Sequence, residues 1–320
     1  MMRFRYLGII LGAPVLAVAL SMTGCGGSDT KPTQSSSGKK SEGDKKSEKT
    51  SDSGSASSSG AKTGIKPTGF AIIKGKITYD GDPPPVADIP IPDDNKDKAY
   101  CLKGPHTVQT WIVGADKGVK NVVLWVRAPA GKYFEIPPEQ QKPATPIVKI
   151  DQPHCAFEPH VDIAFPSYFD GKAQQRTGQK LEIANSAEIT HNTNWTPSNT
   201  LLDSAANVIL PSKQAPTEIP LFESVNAKKR SGLEDLLTLK CNIHQWMTGY
   251  VWAFDHPYAA KTGDDGTYEI KNVPAGTELH LVGWHEGVDG GYFLPGKSKG
   301  ESIGPLKENE IKELNFKIKK

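Results

Sequence analysis

Methionine almost disappears from this chain beyond its N-terminus: of four, Met1, Met2 and Met22 lie in the first two dozen residues and Met247 stands alone after them. Cysteine is equally sparse, at four, and one of these, Cys25, belongs to the same N-terminal segment. Long hydrophobic runs are missing too. The longest apolar stretch, residues 7–20, is short for a membrane span, and a chain with 37% hydrophobic residues is too polar for a multi-span protein. No sign of charge dominates, with 38 basic against 36 acidic residues overall and 28 against 31 in residues 67–320. That balance excludes the basic footprint of a nucleic-acid binder. What is abundant is turn chemistry, with 31 Gly and 25 Pro.

Residues 1–24 read as a leader. A basic start (Met-Met-Arg-Phe-Arg) precedes the short apolar stretch, and small residues lead to Cys25. This pattern resembles a bacterial lipoprotein signal, which implies lipidation of Cys25, export to the cell envelope with a membrane anchor, and an oxidising compartment for the rest of the chain. Residues 25–66 follow as a Ser, Gly and Lys-rich linker with no apolar periodicity, so they cannot bury enough surface to offset their ordering entropy. We expect a disordered tether there, with an end-to-end distance of roughly 35 Å.

From Phe70 onward the pattern is β. Segments 70–79 (FAIIKGKITY), 108–113, 121–127 (NVVLWVR), 180–184, 249–254, 267–270, 279–284 and 314–318 are rich in β-branched and aromatic residues and bounded by Gly, Pro, Asp and Asn. No stretch carries a long helical period, and residues 231–237 (SGLEDLL) allow a turn or short helix at most. Short strands with Pro- and Gly-rich connections predict an all-β protein of packed sandwiches, not α/β layers. A non-enzymatic role is expected, since no pair of residues stands out as catalytic.

Cysteine arithmetic carries the function. With Cys25 assigned to lipid, Cys101, Cys155 and Cys241 remain, an odd number in an exported chain. Cys241 opens the run Cys241-Asn242-Ile243-His244-Gln245-Trp246-Met247, which also holds the lone downstream methionine. A thiolate, an imidazole and a thioether on one tight loop are ligands that copper prefers, and a His/His/Cys set with weak axial Met defines a blue-copper site. The second imidazole is expected from His191, which lies within the segment 183–192 (IANSAEITHN).

These residues resemble the cupredoxins. The Cys-x2-His-x2-Met spacing is similar to the short ligand loop of amicyanin, and Asn185, His191 and Asn192 resemble the strand end that delivers the first His in plastocyanin-like proteins. The resemblance covers roughly residues 147–254 and implies a Greek-key sandwich holding one type 1 copper through His191, Cys241, His244 and Met247. Asn185 or Asn192 would brace the ligand loop. An exposed His244 edge ringed by apolar groups such as Trp246 would pass single electrons to a redox protein partner that the sequence does not name. About fifty residues separate His191 from Cys241, and segment 196–232 reads as an insertion.

Cys101 and Cys155 are left as a pair, and an exported β protein is expected to cross-link them. The run 152–160 (QPHCAFEPH) also admits a metal-binding reading through His154, Cys155, Glu158 and His160, less favoured than the disulfide. A second resemblance lies C-terminal. Thr262, Asp265-Gly266, Tyr268 and Ile270, followed by Val273-Pro274-Ala275-Gly276, are similar to the carboxypeptidase regulatory-like (prealbumin-like) β-sandwich repeats, and residues 74–81 (KGKITYDG) resemble that module's opening strand. This implies a second small sandwich from residues 67–146 and 255–320, split by insertion of 147–254. Such modules support an alternative function, non-catalytic binding of an envelope glycan or protein with Cys241 structural. Trp284-His285-Glu286 is the candidate ligand-facing cluster under that reading, although an aromatic ending a core strand is the expected explanation.

Overall fold

The computed structural model describes residues 62–198, 201–202, 205–219 and 231–320. The leader, Cys25 and the tether up to residue 61 lie outside the described residues. The tether expected to run through residue 66 ends earlier, because Thr63–Ile65 is already a strand.

The described chain is nearly all β, as the sequence pattern predicts. Its first part supplies β1 (Thr63–Ile65), β2 (Phe70–Tyr79), β3 (Val123–Arg127) and β4 (Lys132–Phe134). The middle supplies β5 (Ile147–Ile150), β6 (Val161–Ala164), β7 (Ser167–Phe169), β8 (Gln174–Arg176), β9 (Lys180–Asn185), β10 (His191–Pro197), β11 (Ala206–Leu210), β12 (Gln214–Ile219), β13 (Glu234–Lys240) and β14 (Thr248–Phe254). The last part adds β15 (Ala259–Lys261), β16 (Thr267–Pro274), β17 (Glu278–Trp284), β18 (Glu301–Pro305), β19 (Ile311–Glu313) and β20 (Phe316–Ile318). One short helix, α1 (Lys98–Cys101), lies between β2 and β3.

Apart from β7 and β8, which pair as a two-stranded ribbon as β1 and β4 do, the middle strands form two larger sheets, ordered β11-β10-β13-β14-β6 and β12-β9-β5. Strands from both flanks share the other two. In one the order is β15-β3-β17-β18, and in the other β2 pairs with β16, β19 and β20. Two described strands of segment 196–232, β11 and β12, extend β10 and β9 at the sheet edges.

Period-two alternation explains how the sheets stack. In β3, Leu124 and Val126 join one core with Ile73, Ile77, Leu279 and Leu281, while Val123 and Trp125 face a second with Trp252, Phe254, Val282 and Trp284. In β14, Trp252 and Phe254 face that second core and Val251 and Ala253 a third, with Ile150, Phe157, Leu181, Leu237 and Leu239. Both inner sheets are therefore covered on two faces, which is why NVVLWVR reads as a continuous apolar run. Arg127 of β3 bridges the layers through both Glu234 carboxylate oxygens.

Two expectations are corrected. Residues 231–237 do not form a turn or helix, since β13 starts at Glu234 and alternates inward at Asp235, Leu237 and Leu239 between β10 and β14. Segment 108–113 makes no strand. It has only isolated bridges, at Thr107 just before it and at its last residue, Val113, and Val108 is exposed, so no neighbouring strand reads its alternation. At the Asp265-Gly266 turn, Gly266 has φ +75° and an added Cβ would lie 2.4 Å from the Ile77 carbonyl oxygen, so the turn admits only glycine.

Candidate metal centre

His191 opens β10, Cys241 immediately follows β13, and Met247 immediately precedes β14. These are three neighbouring strands of one sheet, so pairing alone brings the first histidine to the loop 241–247 at one end of the sandwich. The loop is tight: Cys241 N–H donates to the Met247 carbonyl and Met247 N–H to the His244 carbonyl.

Three donor atoms converge. Cys241 Sγ lies 3.8 Å from His191 Nδ1 and 3.7 Å from His244 Nδ1, and the two Nδ1 atoms are 3.0 Å apart. A point equidistant from all three sits about 2 Å from each, which is the length of a bond from imidazole to a first-row metal ion. The residues present therefore fit a trigonal ion. All three are buried, and Met247 is buried with them in the core beneath the loop. The His244 backbone N–H also donates to Cys241 Sγ at 3.4 Å.

Burial, and then the neighbouring His244, push the His191 ring down to about 4, against smaller opposing pulls from Asp97 and the His154 backbone. Burial lowers His244 as well, with Asp97 opposing. Both rings are thus held neutral near pH 7, the form that binds metal.

Asn192 braces the loop. Its Oδ1 accepts from Asn242 N–H at 2.8 Å, Ile243 N–H at 3.1 Å and the Cys241 thiol at 3.4 Å. Asn185 serves a different turn, donating to the Ile189, Leu210 and Pro211 carbonyls and accepting from Ala187 N–H. Asn192→Ala should destabilise the metal-free protein by about 2–3 kcal/mol, because it strands two loop N–H groups. Urea unfolding checks this, and a loss below about 0.5 kcal/mol would show that water satisfies the loop.

The exposed His244 edge expected from the sequence is absent. His244 is 0% exposed, and its Nε2 faces Asp97 Oδ2 at 3.2 Å. The reason is the segment between β2 and β3, which crosses the end of the sandwich. Cys101 and Cys155 are joined in a disulfide, and both sulfurs lie within 4.8 Å of a His244 ring nitrogen. Trp246 packs half-buried with its ring centroid 5.3 Å from that of His244, and the exposed apolar residue on the loop is Ile243.

The remaining candidates are placed elsewhere. His160, before β6, pairs with Glu286, and Trp284 and His285 are buried, His285 against the Trp111 ring at 4.3 Å. This cluster lies between sheets and presents no open face to a glycan. Residues 291–298 (GYFLPGKS), which the sequence reading did not single out, have the spacing of a phosphate loop, but they lead into a three-residue 3-10 turn (Lys297–Lys299) and then β18, with no helix N-terminus to hold an anion. Sequence reasoning missed Asp97. Its only signal was proximity in sequence to Cys101, whose pairing with Cys155 draws the acid-rich stretch 93–97 towards the site.

No protein-family model, curated protein or solved structure matches this chain.

Proposed function

We propose that this protein is a mononuclear copper protein of the cupredoxin type that carries single electrons at the cell envelope, held to a membrane by lipid on Cys25. The observation that carries this reading is the convergence of Cys241 Sγ, His191 Nδ1 and His244 Nδ1 on one point about 2 Å from each, the bond length of a first-row ion. Bound copper would supply a one-electron couple whose two states tolerate the same soft and borderline ligands. The chain's part is to hold those ligands still. His191 and Cys241 are set by adjacent strands, the loop is pinned by Asn192, and burial excludes water, so little rearranges when charge changes. Residues 67–146 and 255–320 would form the carboxypeptidase regulatory-like support on which this centre is carried.

The test is copper(II) titration of the soluble fragment. Wild type should bind one equivalent and develop intense visible absorption from thiolate-to-copper charge transfer. Cys241→Ser should lose that absorption and keep at most weak copper binding through the two imidazoles. A wild-type protein that is fully loaded yet colourless would overturn the blue-copper reading. The glycan- or protein-binding alternative would then stand, with Cys241 structural.

A further inference from the structure

The segment that covers His244 is not part of the sandwich that holds the ligands. Residues 88–106 leave the chain between β2 and β3, and their base is closed by Ile89 N–H to the His106 carbonyl and by the Asp88–Thr107 bridge. Yet Ile91 and Cys101 are buried in the ligand sandwich's core, and Ile89 and Tyr100 pack against it. The arm is fastened twice more. Cys101 is bonded to Cys155, and Tyr100 Oη donates to the Pro153 carbonyl and accepts from Glu188 N–H.

Asp97 is anchored on the arm through its backbone. Its N–H donates to Asn95 Oδ1, and its carbonyl accepts from Tyr100 N–H and from Cys101 N–H, one turn of helix away from the disulfide. Its carboxylate then meets His244 Nε2 at 3.2 Å. A carboxylate can only accept, so this contact requires the proton of neutral His244 to sit on Nε2 and leaves the Nδ1 lone pair facing Cys241 and His191. That is the tautomer a metal at the convergence point needs.

We propose that Asp97 is a positioning residue of the metal centre: it selects the Nε2–H tautomer of His244, fixes the ring, and by its charge favours the more oxidised state of a bound ion. The proposal rests on the copper reading for its redox part, but its tautomer part concerns the metal-free protein alone. A negative charge near the site stabilises a divalent ion more than a monovalent one and so lowers the reduction potential. A redox partner would also meet the arm, not a bare imidazole edge.

Two variants separate the hydrogen bond from the charge. Asp97→Asn keeps a carbonyl acceptor and removes the charge; Asp97→Ala removes both. Long-range nitrogen–proton NMR of the metal-free protein at mildly alkaline pH should show His244 wholly as the Nε2–H tautomer in wild type and Asp97→Asn, and as a mixture in Asp97→Ala. Cobalt(II) and copper(II) titrations should give Asp97→Ala an affinity about 10- to 100-fold below wild type. Voltammetry should place the potential of Asp97→Asn above that of wild type with the visible spectrum nearly unchanged. An Nδ1–H tautomer in wild type, or an Asp97→Ala protein equal to wild type in tautomer and metal affinity, overturns the proposal. A colourless copper-loaded wild type with the expected tautomers would instead reject the blue-copper reading and leave Asp97's positioning role standing.

Discussion

The metal-free protein should unfold on mild acidification, with a midpoint between about pH 4 and 5, because three buried histidines must gain protons that the fold denies them. Burial, reinforced by Arg127, pushes His256 down to about 3. Burial likewise pushes His285 and His191 down to about 4. Each is neutral in the fold, while in the unfolded chain each takes a proton near the ordinary 6.5. Their contribution is therefore fully present above that value and is lost as pH falls towards the folded values. At pH 4.5 the loss is about 2–3 kcal/mol for each ring. Asp255 works in the opposite sense. Burial raises it to about 6, so it destabilises the fold above that pH and returns about 2 kcal/mol as it protonates. The net loss of several kcal/mol is comparable with the whole stability of a typical domain.

Near-ultraviolet circular dichroism across an acid titration reads this directly. His256→Phe, whose ring can keep the stacking between Phe254 and Tyr258, should move the midpoint to lower pH. Copper should do the same, since metal competes with the proton at His191. A midpoint below pH 3 in the metal-free protein would show that the buried rings open to solvent without unfolding.

Trp125→Ala should cost about 3–5 kcal/mol and split unfolding into two steps. Trp125 is fully buried at the centre of the layer between the two inner sheets, with ring centroids 4.8 Å from Trp252 and 5.2 Å from Phe254. Those two belong to β14 and Trp125 to β3, so this contact joins the sandwich that carries the ligand loop to the one built from the flanks. Emptying it leaves the other two cores intact but weakens what makes them unfold together. Urea unfolding followed by tryptophan fluorescence and by the visible absorption of the copper-loaded protein should coincide for wild type and separate for the variant. A single coincident transition with less than about 1 kcal/mol lost would mean that the layer contributes little to coupling.

Sequence alone determined the all-β class, seven of the twenty described strands (β2, β3, β9, β14, β16, β17 and β20), the Cys101–Cys155 pairing and the residues that meet at the candidate centre. Each is a local or chemical property: β-branched runs broken by Gly and Pro, an odd cysteine count, and soft ligands at a spacing one loop can close. Strand β13 was illegible because SGLEDLL shows its alternation only beside β10 and β14, and segment 108–113 misled because its strand-like composition meets only isolated bridges and single backbone hydrogen bonds, not a paired strand. The covering of His244 was decided by tertiary structure alone. Asp97 is 147 residues from its histidine, and nothing in a stretch of solvated-looking acids and lysines distinguishes the one carboxylate that a disulfide and a single helical turn carry over the site. Contacts between an arm and a loop from different sandwiches depend on how two packed bodies are joined, and that geometry is set by side chains meeting across the sheets, Trp125 with Trp252 and Arg127 with Glu234, which no periodicity within either segment encodes.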